Sequence, residues 1–274
     1  MLIFENMYSK NYWHIIIALF WTSILWGQNT FQPKSVNLEY KGIIYRTERS
    51  IDLRLHTNGA AIAYNTGRID AFNKTSYYHI ELGYLKDFRE RKQSRNFNNN
   101  GLISTRSFIL GKRNNLLVLR AGKGWKRYLS EKARRKGIAV GYSYEVGPSL
   151  ALLKPYYLNV VNSTIIDGEL VNTIEEVKYS EENREVFLDR NRIQGASGYW
   201  KGFDEISVVP GIQAKGGLLF SLGAYDKMVK AVEVGAMVDF YIKKVPIMVE
   251  SESVSNKPYF FNLYLSLQLG TRSN

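Results

Sequence analysis

Apolar and polar residues alternate with a period of two along most of this chain. In "YFFNLYLSLQLG", Phe261, Leu263, Leu265, Leu267 and Leu269 fall on one parity, and Asn262, Tyr264, Ser266 and Gln268 on the other. "AVEVGAMVDFY" sets Val232, Val234, Ala236, Val238 and Phe240 against Glu233, Gly235, Met237, Asp239 and Tyr241. The same reading places His79 and Glu81, Ser143 and Glu145, and Asp52, Arg54 and His56 on polar parities of three other segments. This pattern predicts strands with one apolar and one polar face. Helical periodicity is nearly absent, so the expected class is all-β.

Turn residues divide the pattern. "TNGA" at Thr57–Ala60 is a hairpin signal, because Asn-Gly tolerates the backbone angles of a tight turn. "GKRNN" (Gly111–Asn115), "EVGPS" (Glu145–Ser149) and "AKGG" (Ala214–Gly217) read as further short connections. Longer segments run from Lys86 to Arg106, Lys123 to Lys136 and Val161 to Glu205. Short turns alternating with long loops predict a transmembrane antiparallel up-and-down β-barrel with long extracellular loops. The candidate strands number eleven, and the need for an even number gives an expectation of ten or twelve.

Alternation alone does not say what the apolar face touches. A soluble exported β-sandwich binding protein alternates too, with its charges in water. Three features favour lipid. The predicted strands are about nine to eleven residues long, enough to cross the hydrocarbon layer when tilted. The opposite parity carries ionisable or small residues strand after strand. Aromatics such as Tyr77, Tyr78, Tyr84, Tyr259 and Phe260 cluster near predicted strand ends, as in interfacial girdles.

The start of the chain supplies an address. The uncharged run "HIIIALFWTSILW" followed by Gly27 predicts a signal peptide over 1–27, cleaved near Gly27. An uncleaved anchor is the alternative. Residues 28–274 then form one barrel domain, with 161–205 as a long loop insertion. The absence of cysteine excludes disulfides, zinc–thiolate sites and a lipidated cysteine. The net charge of +12 fits an anionic partner without choosing one.

The signal ending "WGQ", the Gly/Tyr-rich alternating strands and the terminal "YFFNLYLSLQLG" resemble the small outer-membrane β-barrel proteins of the Bacteroidota type. The resemblance implies residence in a Gram-negative outer membrane. Its terminal strand is similar to the signal read by the barrel-assembly machinery, although the "TRSN" tail departs from the usual aromatic ending. It carries over no cofactor and no catalytic residue.

Charge suggests where interactions lie. Lys86–Arg106 carries a net +4, Lys123–Lys136 a net +6 and Val161–Glu205 a net −5. Arg89, Arg91, Lys92, Trp125, Lys126, Arg127, Arg134 and Arg135 are candidate contacts for lipopolysaccharide phosphates or a partner, against the plainer reading of solvated loops. Arg54, Glu81, Arg120, Glu145, Glu233 and Asp239 are a candidate lumen charge network. Both signs in one narrow interior favour a closed lumen over the alternative of a narrow passive pore.

Tyr199, Trp200 and Phe203 read as a partner anchor or a lid over the barrel mouth. His79, Glu81 and Ser143 offer only a weak triad, which keeps a lipid-modifying hydrolase or acyltransferase as a distant alternative. No metal site and no nucleic-acid motif emerges. The expected protein is a non-enzymatic integral outer-membrane barrel. Its expected role is a structural or accessory subunit of an envelope complex, docking partners or lipopolysaccharide through its loops.

Overall fold

The computed structural model describes residues 45–94, 106–129, 137–166, 169–222, 226–251 and 255–274. The expected signal peptide, Arg134 and Arg135 lie outside them. The strands are β1 (Thr47–His56), β2 (Gly59–Ala71), β3 (Lys74–Leu85), β4 (Lys92–Gln93), β5 (Phe108–Ile109), β6 (Asn114–Tyr128), β7 (Ala139–Pro155), β8 (Tyr157–Ile166), β9 (Glu169–Lys178), β10 (Ile193–Ala196), β11 (Ser207–Ser221), β12 (Met228–Tyr241) and β13 (Tyr259–Ser273). One short helix, α1, covers Arg184–Leu188.

Eight strands close an antiparallel up-and-down barrel in the order β1-β2-β3-β6-β7-β11-β12-β13, with β13 pairing back onto β1. The expectation of ten or twelve strands is corrected to eight. "EVGPS" and "AKGG" are not turns. They lie inside β7 and β11, which run 17 and 15 residues, longer than expected. Glycine and proline inside β7 have a packing reason. A side chain at Gly147 would strike the Ala121 carbonyl oxygen of β6, and the β6–β7 ladder is interrupted between Ser149 and Val146, where Pro148 has no N–H to give.

The hairpin at Thr57–Asn58 forms as expected, with His56 facing Gly59. It lies at what we term the loop end, together with the β3–β6, β7–β11 and β12–β13 connections. Thr47 and Ser273 pair at the opposite, terminus end.

The segment expected as a long loop is folded. β8, β9 and β10 form a separate three-stranded sheet. Phe108, Leu158, Val160, Phe187 and Ile193 make a small core of their own beneath it. We refer to this unit and the adjoining β3–β6 connection as the headpiece.

Inside the barrel the side chains are layered. At the loop end, Val245, Ile247 and Met248 of the β12–β13 connection pack on Leu85, Leu116, Val118, Ala151, Leu153, Val209 and Tyr241 as an apolar stopper. Backbone bonds from Arg113 and Asn114 to the Ile247 carbonyl pin it there, at 2.8 and 3.1 Å. A smaller apolar cluster of Tyr128, Ala139, Leu219 and Ala231 sits near the terminus end. Between the two lies a polar layer.

Candidate functional site

The polar layer is built by the inward parity of every barrel strand. Arg54 on β1 pairs with Glu81 on β3, and its second terminal nitrogen lies 3.6 Å from Asp52 and 3.7 Å from Glu145. Arg120 on β6 gives one nitrogen to Glu81 at 2.5 Å and two to Asp239 on β12 at 2.8 and 2.7 Å. Lys215 on β11 bridges Glu81 and Glu145 at 2.8 and 2.6 Å. Glu145 also accepts from Tyr77 Oη at 3.0 Å, and Glu233 accepts from Tyr264 Oη at 2.5 Å. Nearer the terminus end, Lys126 and Arg272 share Glu48 at 3.1 and 2.8 Å, and Gln268 links Lys126 to Asp52.

These charges are dry. Asp52, Glu81, Arg120 and Asp239 have no solvent-accessible surface. An eight-stranded barrel has an interior only wide enough for its own side chains. A buried ion without a partner costs several kcal/mol, so each cation here meets a carboxylate.

The structure brings Arg54, Glu81, Arg120, Glu145 and Asp239 into direct contact and seats Glu233 beside them through Tyr264, whose ring lies 4.9 Å from the Arg54 guanidinium. Four members besides Lys126 are not marked in the sequence. Lys215 lies in a Gly-rich stretch that reads as a turn, and Tyr77 reads as part of an interfacial girdle but is buried and bonded to Glu145. Glu48 and Arg272 lie at strand ends, where parity is hardest to extend.

No family profile matches this chain, and no curated protein sequence does. Among solved structures it is similar to Neisserial surface protein A (NspA), at 6% identity over 84% of this chain and 96% of that one, with a TM-score of 0.32. It is also similar to the N-terminal β-barrel domain of Pseudomonas aeruginosa OprF, at 8% identity over 82% of this chain and 97% of that one, with a TM-score of 0.29.

The outward parity is apolar. Leu53, Ile80, Leu218, Val234 and Leu265 are each about half exposed, on five different strands. On this face Trp125 stacks on Tyr144 at 5.0 Å, and the Lys123 ammonium lies 5.5 Å from the Trp125 ring.

The described parts of the two basic segments do not form one patch. Lys86–Arg106 leaves β3 at the loop end, whereas Lys123–Tyr128 is the last stretch of β6 and lies at the terminus end, because β6 carries the chain from one mouth to the other. Lys126 is corrected from surface contact to interior: its ammonium is buried between Glu48 and Gln268. Arg127 and Trp125 face outward. Arg91 and Lys92 are exposed at the loop end.

Arg89 is not free there. It makes two bonds to Asp87, both at 2.8 Å, and one to Asn256 at 3.2 Å. Burial alone would raise the Asp87 carboxyl, but the Arg89 hydrogen bonds and charge outweigh it and hold it below its usual value.

The headpiece aromatics do come together. Tyr199, Trp200 and Phe203 lie within 5.4–5.8 Å of one another, and Trp200 is 79% exposed. The catalytic alternative does not assemble. His79 Nε2 faces Gln213 at 3.2 Å and Glu145 at 3.4 Å, Glu81 is held by three cations, and no hydrogen bond among the described residues joins either to Ser143.

Proposed function

We propose that this protein is an integral outer-membrane β-barrel with a closed lumen and no catalytic role, and that it serves as a structural or accessory subunit of an envelope complex. One observation carries the reading: the barrel is inside out, with charged side chains buried and leucines exposed around its girth. Soluble monomers rarely expose apolar patches beyond a few hundred Å², whereas a barrel in lipid needs a continuous apolar belt. A lumen filled with paired charges leaves no path for solute, which argues against the passive-pore alternative.

The headpiece is then the part that reaches partners. Trp200 and its aromatic neighbours form a rigid anchor of the kind that dominates protein interfaces. Arg91 and Lys92 at the same end suit lipopolysaccharide phosphates, and β13 is the strand offered to the barrel-assembly machinery.

The test is affinity isolation of the tagged full chain from detergent-solubilised envelopes, after carbonate extraction has established that it is integral. A partner should co-purify with the wild type and be lost with Trp200→Ala. A chain released by carbonate, or isolated alone, would defeat the proposal.

A further inference from the structure

A cavity of about 530 Å³ lies at the loop end, between the headpiece and the outward face of β3 and β6 at Tyr84 and Asn115. A recess of about 330 Å³ shares Tyr84, Lys92, Ile109, Asn115, Lys154 and Tyr199 with it. The cations of the two spaces together are Lys86, Lys92, Arg106, Lys112, Lys154 and Lys201. The one carboxylate in the lining, Glu90, is taken by Lys112 at 2.6 Å. Lys201 reaches Glu176 at 3.3 Å. Among the described residues no carboxylate lies within ion-pair distance of Lys92, Arg106 or Lys154.

The way these ammonium groups are held matters. Lys154 is 4% exposed, yet its Nζ donates to the carbonyls of Tyr199 and Lys201, at 2.6 and 3.2 Å, and sits 4.8 Å from the rings of Tyr199 and Phe203. Lys112 lies 5.7 and 5.6 Å from the rings of Tyr84 and Tyr156, and Lys201 lies 5.6 Å from Tyr157. Ring faces and carbonyl dipoles stabilise a cation without neutralising it. Lys92, Arg106 and Lys154 therefore leave the walls a net positive charge that draws in an anion.

We infer that this cavity binds a phosphorylated saccharide, either free or as the headgroup of a lipid. Arg106 offers a planar fork and Lys92 and Lys154 point charges for the phosphoryl oxygens. The tyrosines give apolar surface to the sugar, and the volume falls in the range of small-ligand sites. The inference deepens the phosphate contact proposed above for Lys92, and its lipid-headgroup form rests on that reading, whereas binding of the free sugar phosphate does not.

Calorimetric titration of the purified full chain in detergent micelles tests it, with glucose 1-phosphate, glucose and inorganic phosphate as probes. Glucose 1-phosphate should bind at least tenfold more tightly than glucose. Its affinity should fall at least tenfold in the double variant Lys92→Glu/Arg106→Glu, whose side chains are exposed, so the fold is retained; Lys154→Met provides a second variant. Repeating the titration in nanodiscs separates the two sources. A site that vanishes when lipid A replaces phosphatidylcholine assigns a lipid headgroup, and one that persists assigns a free sugar phosphate. Either outcome upholds the inference. Equal affinity for glucose and glucose 1-phosphate, inorganic phosphate bound as tightly as glucose 1-phosphate, unchanged binding by the double variant, or no binding of any probe overturns it.

Discussion

Arg120 and Asp239 lie 119 positions apart in the chain and meet inside the barrel through two parallel hydrogen bonds. The planar fork of the guanidinium fills both carboxylate oxygens, and its remaining terminal nitrogen reaches Glu81. The pair ties β6 to β12 across the interior, although those strands are not neighbours in the sheet.

Replacing Arg120 by Met leaves Asp239 without its partner and removes one of three cations from Glu81. The expected loss is about 3–5 kcal/mol, the usual range for orphaning a buried ion. The double variant Arg120→Met/Asp239→Leu should lose less than the single one. Denaturant unfolding in micelles, compared across the wild type and both variants, checks the order.

Leu265 and Ser266 are chain neighbours on opposite faces of β13. Leu265→Arg places a charge in the apolar belt and should cost about 2–4 kcal/mol of folding stability in lipid vesicles. Ser266→Ala should be near neutral, because the buried Ser266 hydroxyl has no hydrogen-bond partner among the described residues to lose. Equal effects at the two positions would contradict the inverted arrangement.

The paired interior predicts no stepwise current. Purified protein in planar bilayers should leave the membrane silent over long recordings at moderate voltage. Discrete, reproducible conductance steps would reopen the pore reading.

The Asp87–Arg89 contact gives the headpiece an acid-sensitive point. The folded state holds the Asp87 carboxyl below its ordinary value of 3.8, so its contribution is complete above that value and is lost as pH falls through the lowered one. Hydrogen exchange around residues 86–90 should show full protection at neutral pH and lose part of it in strong acid. In Asp87→Asn that acid step should disappear, with weaker protection already present at neutral pH.

Much of this architecture was legible from parity. The strict alternation around Glu233, Asp239 and Leu263 placed the right side chains inward and outward, because a strand has no freedom to turn one residue without turning the next. Errors arose where a local signal was overridden by tertiary packing. Gly147 and Pro148 resemble a turn, yet β6 approaches so closely that only glycine fits at 147, and the proline sits at a gap in the ladder. Lys126 looked like part of a basic loop because its neighbours are basic. Its parity, shared with Gly124 and Tyr128, sends it inward to Glu48.

The sequence by itself determined the β class, the hairpin at Asn58 and the split into one greasy and one charged face, since these depend on neighbours along a single strand. Only the tertiary structure decided that eight strands close the barrel, that Arg54, Arg120 and Lys215 converge on Glu81, and that the acidic insertion folds into a small sheet with its own core. Those outcomes depend on distances between segments far apart in the chain, which barrel closure sets and which no local pattern records.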